Sequence, residues 1–274
     1  MAFDIVAYKT TAAPIKYDDL DIPGAFAARP LSAEALRCLR YMSDIESHTI
    51  CYLRDLLVTP SHADPQVTTF LTMWALEEFW HGEALAAVLA AHGVATEDEH
   101  IRGVRLRLGW HDRWAPVEQA VLANIVGDAY IAVHMSWGAI NEWSTHVAYN
   151  RLAELEQHPV LTELLERVMR QESRHAAFYA SQARDRLAES KRARRLTRFA
   201  LRRFWAPVGT GLMPKEDTAF ITRHLLGGEI GRKLIEMLDQ KIDRLPGMDG
   251  LGLVGRKTAK YFRNDPSSTA LAAA

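Results

Sequence analysis

Cysteine is nearly missing from this chain: only Cys38 and Cys51 occur in 274 residues. They are spaced along what reads as one helix, roughly 20 Å apart at about 1.5 Å per residue, and cannot bond to each other there. A disulfide framework is therefore excluded, and a reduced, cytoplasmic setting is expected. Charge of one sign is also lacking. The net charge of −1 gives the whole chain no push toward nucleic acid or an anionic membrane. No uninterrupted apolar run reaches the roughly 18 residues of a membrane span, because Asp128 and Glu142 bracket the longest candidate. The opening stretch MAFDIVAYKTT has no basic segment leading into an apolar one, so no signal peptide is expected. Sustained two-residue alternation and short repeats are absent as well, which argues against a β fold.

Helical periodicity fills the space these absences leave. Apolar residues make up 48% of the chain, enough for one large helical domain. Residues 1–30 read as an N-terminal arm lying on the surface of the fold. Ser32 reads as an N-cap for a helix from about Ala33 to Val58, ahead of Pro60. A second helix runs from about Pro65 to His92 and stops at Gly93. A polar connection follows, from Ala95 to Ala115. Pro116 and Pro159 each open a long helix, ending near Gln157 and Arg195. The expected architecture is all-α: a four-helix bundle over residues 31–195, additional helices over 196–245, and a loose C-terminal tail over 246–274.

Chemistry concentrates on the inward faces of those four helices. Glu78 and His81, like Glu172 and His175, are three residues apart and share a helix face. Such a pair alone means little, since Glu97 and His100 have the same spacing in the polar connection. The surroundings separate them. Glu78 shares its side with Leu71, Trp74 and Leu85, and Glu172 with Leu165, Val168 and Met169. Glu46 lies on a face with Leu39, Met42 and Leu53, and Glu142 on one with Met135, Ala139 and Tyr149. Each helix thus sends one carboxylate into an apolar stripe that holds no Lys or Arg. Burying one unpaired carboxylate costs several kcal/mol, and four together also repel. Two divalent cations would balance the four charges, with two imidazoles completing the coordination. The separations, 32 residues from Glu46 to Glu78 and 30 from Glu142 to Glu172, suit antiparallel helix pairs whose midpoints share one height. This is the ligand order of the di-iron and di-manganese carboxylate bundles. Mixed carboxylate and imidazole donors favour iron or manganese over metals that prefer thiolate.

The segment Trp74-Ala75-Leu76-Glu77-Glu78-Phe79-Trp80-His81-Gly82 resembles the second-helix signature of the soluble acyl-acyl carrier protein desaturases. There a Trp precedes the ligand Glu by one turn and a Gly follows the His. Glu142-Trp143-Ser144-Thr145 is similar to the third-helix segment of that family, and Gln171-Glu172-Ser173-Arg174-His175 to its fourth-helix Asp-Glu-x-Arg-His. Tyr52, six residues after Glu46, also fits. The resemblance spans about residues 33–190. It implies a ferritin-like bundle holding two Fe ions (Fe/Fe, with Mn/Fe as the alternative) through Glu46, Glu78, His81, Glu142, Glu172 and His175. It also implies O2-dependent oxidation of an unactivated C–H bond in an acyl or acyl-like substrate. Thr145 would then face the oxygen side of the metals; the equal alternative is a helix Thr bonded to a carbonyl of its own helix.

Two departures bear on that expectation. Gln171 stands where the family has an acid, so the carboxylate that would orient His81 is expected to be missing. Phe79 and Trp80 replace a polar pair, which alters the surface on which an external electron donor such as a ferredoxin would dock. The basic segment 184–203 is expected either to dock an acyl carrier protein or to form a solvated helix end. A homodimer is compatible with the sequence. Trp74, Tyr149 and Tyr179 read as core aromatics and His146 as a core histidine. Gly138 and Ala139 read as helix-contact residues or as space for substrate. Competing readings are a hydroxylase or N-oxygenase of a small molecule and a non-enzymatic iron-binding or radical-generating protein. Val168 stands where the N-oxygenases of this fold carry a third His.

Overall fold

The computed structural model describes residues 3–96, 98–106, 117 and 120–263. Among them the chain is an all-α helical bundle. Two short helices, α1 (Ile5–Thr11) and α2 (Ile22–Ala28), precede α3 (Ala33–Glu46) and α4 (Thr49–Leu56). The long α5 (Pro65–Ala91) follows a single 3-10 turn, and α6 (Asp98–Leu106) and α7 (120–126) lead to α8 (Ala129–Glu156) and α9 (Pro159–Glu189). The chain closes with α10 (Lys191–Phe204), α11 (Lys215–Leu226), α12 (Gly228–Asp243) and α13 (Leu253–Phe262).

Local chemistry sets the ends of the bundle helices. Ser32 caps α3 by accepting from the Ala35 amide, and Asp64 caps α5 by accepting from Gln66 and Val67, with Pro65 in the first turn. Between α8 and α9 the chain reverses at Gln157, whose φ of 49° ends one helix before Pro159 starts the next. This tight reversal lays α8 against α9 along their length, while α3 pairs with α5.

Two helices expected to be continuous are broken. The first stops at Glu46 and resumes at Thr49, so Cys38 and Cys51 lie on different helices, and both are free. The third is interrupted at Gly127, with φ of 70°, which separates α7 from α8. Its expected start at Pro116 lies outside the described residues, as does Glu97. His100 is a partner of the buried Asp44, at 2.7 Å, and has no place in the ligand layer.

Apolar packing is split into two clusters along the bundle. One gathers Phe70, Leu71, Met135, Ile140, Phe178 and Tyr179. The other gathers Leu39, Leu85, Leu89, Tyr149, Leu161 and Leu165. Between them, on all four bundle helices, lies a polar layer. The terminal segments differ from expectation. The N-terminal arm is not merely laid on the surface, because Tyr8, Ile15, Ile22 and Phe26 are buried. Residues 246–263 are not loose either: Met248, Leu251, Leu253 and Val254 join the first cluster, with α13 packed on α12. Apolar residues in both stretches are too few for visible periodicity, but each finds a slot on a bundle already formed. None of the described helices is long and apolar enough to cross a membrane.

Candidate metal centre

The polar layer consists of Glu46 from α3, Glu78 and His81 from α5, Glu142 from α8, and Glu172 and His175 from α9. None is more than 6% exposed. Their donor atoms form two overlapping sets, each within 4.8 Å: Glu46, Glu78, His81 and Glu172 in one, Glu78, Glu142, Glu172 and His175 in the other. Glu78 and Glu172 belong to both sets and sit centrally, whereas each remaining carboxylate and imidazole belongs to one. The three-residue spacing brings each His onto its own Glu: His81 Nδ1 lies 3.2 Å from Glu78, and His175 Nδ1 lies 3.3 Å from Glu172. Each Nδ1 also approaches the opposite central carboxylate, at 3.3 Å for His81 and Glu172 and 3.2 Å for His175 and Glu78. Both imidazoles therefore turn Nδ1 inward and Nε2 outward.

Close approach of α3 to α5 depends on Gly82. A Cβ there would stand 3.1 Å from Ser47 Oγ and 3.4 Å from the Glu46 Cβ. With glycine there, the end of α3 settles one turn beyond Glu78 and brings Glu46 into the layer without having to give by a few tenths of an ångström. Gly138 does a different job: its missing Cβ makes room for the Tyr179 ring, so helix packing rather than substrate space accounts for it.

Outside this layer lies a second one, part of which sequence reasoning missed. Glu77 is fully buried and faces away from the central cluster. It accepts from His175 Nε2 at 2.8 Å, from the Tyr8 hydroxyl at 2.8 Å and from Arg174 at 2.5 Å. Gln171 takes the matching place beside His81, whose Nε2–H donates to Gln171 Oε1 at 2.7 Å. The amide orientation follows from its other end, where Gln171 Nε2 donates to the Ala13 carbonyl at 2.9 Å. The residue preceding each central Glu thus holds the histidine of the opposite helix. Gln171 supplies the acceptor for His81, although not a charged one. Trp74 and Tyr149 are more than core aromatics: Trp74 Nε1 donates to Glu142 at 3.1 Å, and the Tyr149 hydroxyl donates to Glu46 at 2.6 Å. Tyr52, by contrast, is exposed on α4 and joins neither layer. His146 is half-buried rather than a core residue, and burial lowers its pKa.

The electrostatics state what this layer needs. Burial, then the neighbouring Glu78 carboxylate, push Glu46 well above the usual carboxylate range; burial and Glu172 do the same to Glu142. Burial and Glu172 also raise Glu78, but hydrogen bonds from His175 and His81 outweigh them and hold it at about 2. Burial works against a charged His81, yet the carboxylates of Glu172 and Glu78 lift it to about 9. Burial opposes the proton on His175 too, and its four carboxylate neighbours raise it well above the ordinary value. Among the described residues no Lys or Arg enters the layer, and Arg174 is committed to Glu77. Four buried carboxylates with no Lys or Arg among them, two inward imidazole nitrogens and no thiolate form a donor set that fits two divalent ions. The described residues show that these clusters could hold metal.

A cavity of about 100 Å³ opens beside the layer and touches Glu46, Thr145 and Tyr149; Met42, Ile45 and Leu238 are among its apolar walls. Helices α11, α12 and α13 close its far side. A larger groove of about 580 Å³ between the outer faces of α8 and α9 contains none of the six residues. The Thr145 hydroxyl has no hydrogen-bond partner among the described residues, whereas the adjacent Ser144 bonds the Ile140 carbonyl of its own helix. The chain matches no protein-family model, and no curated protein is similar enough to count as a match.

Proposed function

We propose that this chain is a di-iron, O2-dependent oxidoreductase resembling the acyl-[acyl carrier protein] desaturases, acting on an unactivated C–H bond of an acyl or acyl-like substrate. One observation carries the reading: a Glu from each of two helices and a Glu-x-x-His pair from each of two others meet in one buried layer beside an apolar cavity. A bound pair of iron ions would supply the electrons for O2 reduction and the oxidising power for the C–H bond.

The chain's own residues do the rest. Glu46, Glu78, His81, Glu142, Glu172 and His175 bind, and Trp74, Tyr149, Gln171 and Glu77 keep four of those groups turned inward. Ile45, Met42 and Leu238 line the cavity with apolar surface, which suits an aliphatic chain. Thr145 offers a hydroxyl into that space, free to donate a hydrogen bond or hold a proton at Oγ1. On the outer surface of α5, Phe79 and Trp80 are T-stacked with Phe79 exposed, a surface suited to an external electron donor.

Docking of an acyl carrier protein falls to α10, which carries seven Lys or Arg and no acid. Arg194 and Arg198 are committed to carbonyls of Leu187 and Gly247, whereas Arg195 and Arg202 are exposed and among the cations free to meet a partner. Charge reversal at those two is expected to raise KM for a carrier-linked substrate and leave a free acyl substrate unaffected. Unchanged KM for both would remove the docking role.

Metal analysis should find about two irons per chain, followed by single-turnover O2 exposure with acyl-carrier and free acyl substrates. Product mass lower by two hydrogens supports desaturation, and a gain of one oxygen would favour the hydroxylase reading instead. Fewer than about two metals, together with Glu46→Gln and Glu142→Gln variants that behave like the parent, would refute the proposal.

A further inference from the structure

The six inner residues are nearly symmetric, but their outer partners are not. The position formed by Glu142 and His175 is backed by Glu77, a buried carboxylate locked by Arg174 at 2.5 Å and by the Tyr8 hydroxyl. Glu46 and His81 are backed by Gln171, a neutral amide. Backbone polarity maintains the difference, because one residue of the arm touches both. The Ala13 N–H donates to Glu77 at 3.4 Å, and the Ala13 carbonyl accepts from Gln171. A carboxylate at 171 would face that carbonyl oxygen against oxygen, and an amide at 77 would leave Arg174 without its charge partner. A carboxylate accepting the outer N–H of an imidazole makes the inner nitrogen a better donor than an amide does, because the charge-assisted bond is the stronger one.

We propose that the two ion positions are unequal by construction: the Glu142–His175 position, backed by Glu77, fills first and holds its ion more tightly than the Glu46–His81 position backed by Gln171. The inference rests on reading the layer as a two-ion site. Glu78 and Glu172 serve both positions equally, so they cannot supply the difference. Glu77 acts through His175 and is a positioning residue.

Metal-free full-length protein titrated with Co(II), followed by visible absorption and calorimetry, tests the order of filling. Two steps about 10- to 100-fold apart are expected, the span that outer partners of metal ligands command. Glu142→Gln should abolish the tighter step and keep the weaker one, and Glu46→Gln should do the reverse. Glu77→Gln should weaken the tighter step by about 10- to 100-fold, until the two merge, with unchanged circular dichroism. If that variant does not fold, the Glu46 and Glu142 variants still decide the matter. Two equal steps in the parent protein would overturn the inference and leave the two-ion reading standing. So would a tight step that survives Glu142→Gln and disappears with Glu46→Gln. Absence of Co(II) binding altogether would overturn the two-ion reading itself.

Discussion

Loading the layer with divalent ions should expel protons. The metal-free layer favours protons over bare charge: burial and a neighbouring carboxylate raise Glu46 and Glu142, and the surrounding carboxylates raise His81, to about 9, and His175. Ligation needs all four carboxylates ionised and both imidazoles neutral at Nδ1, so two carboxyl and two imidazolium protons must leave. Each released proton makes binding more favourable by about 1.4 kcal/mol per pH unit, hence about 5 kcal/mol per pH unit for the pair of ions. The sign is definite. Affinity falls as pH drops, and the dependence becomes less steep by one proton above about 9, where His81 has already lost its own. Calorimetric titration with Mn(II) at pH 7 in two buffers of different ionisation enthalpy counts the protons directly. Release near four per two ions is expected. A count near zero, or affinity unchanged between pH 6 and 8, would show that the layer is not proton-balanced in this way.

Three further outcomes follow from single contacts. Gly82→Ala should weaken metal binding with a change of about 1 kcal/mol or less in urea unfolding, since its methyl asks Ser47 and the end of α3 to give by a few tenths of an ångström while alanine favours the helix; an unchanged affinity would mean that Glu46 is not held by that approach. Tyr8→Phe removes one hydrogen bond to the buried Glu77 carboxylate and should cost about 1.5–3 kcal/mol in the same measurement, and no loss would mean that the arm does not bear on the layer. His134 is pushed down to about 3 by burial and then by Arg186, while the unfolded chain titrates near 6.5. Folded stability should therefore fall as pH drops below 6.5, by about 2 kcal/mol at pH 5 from this group, and His134→Gln should make the urea midpoint less steep in pH over that window.

The six inner residues were legible because a carboxylate in an apolar stripe stands out on any one helix, and four of them at matching heights have few other uses. The outer layer was harder to read. Glu77 has the same residue type as Glu78 and sits on a flank of α5, where a charge usually faces water; only its cross-helix partners, Arg174 and His175, reveal that it is buried. Gln171 read as a loss because a missing charge was equated with a missing acceptor, whereas the amide oxygen accepts from His81 equally well in geometry. Tyr8 carried no signal, since α1 has only seven residues and no periodicity to place it. The break after Glu46 was invisible for a related reason: apolar residues continue into α4, and nothing in the local pattern marks Ser47 and His48 as the end of one helix and the start of the next. Local pattern finds what each helix hides, but not what a distant segment brings to it.

Folding order gives the arm another meaning. Tyr8 bonds a residue 69 positions later, and Thr11 and Ala13 bond Arg174 and Gln171, 163 and 158 positions later. Contacts this distant form after local ones, because long loops must close before they are rewarded. The segment synthesised before the bundle is therefore fastened after it, once α5 and α9 are already side by side. Until then, Glu77 and Gln171 are open on their outer side, and the arm is the last piece to cover the pair.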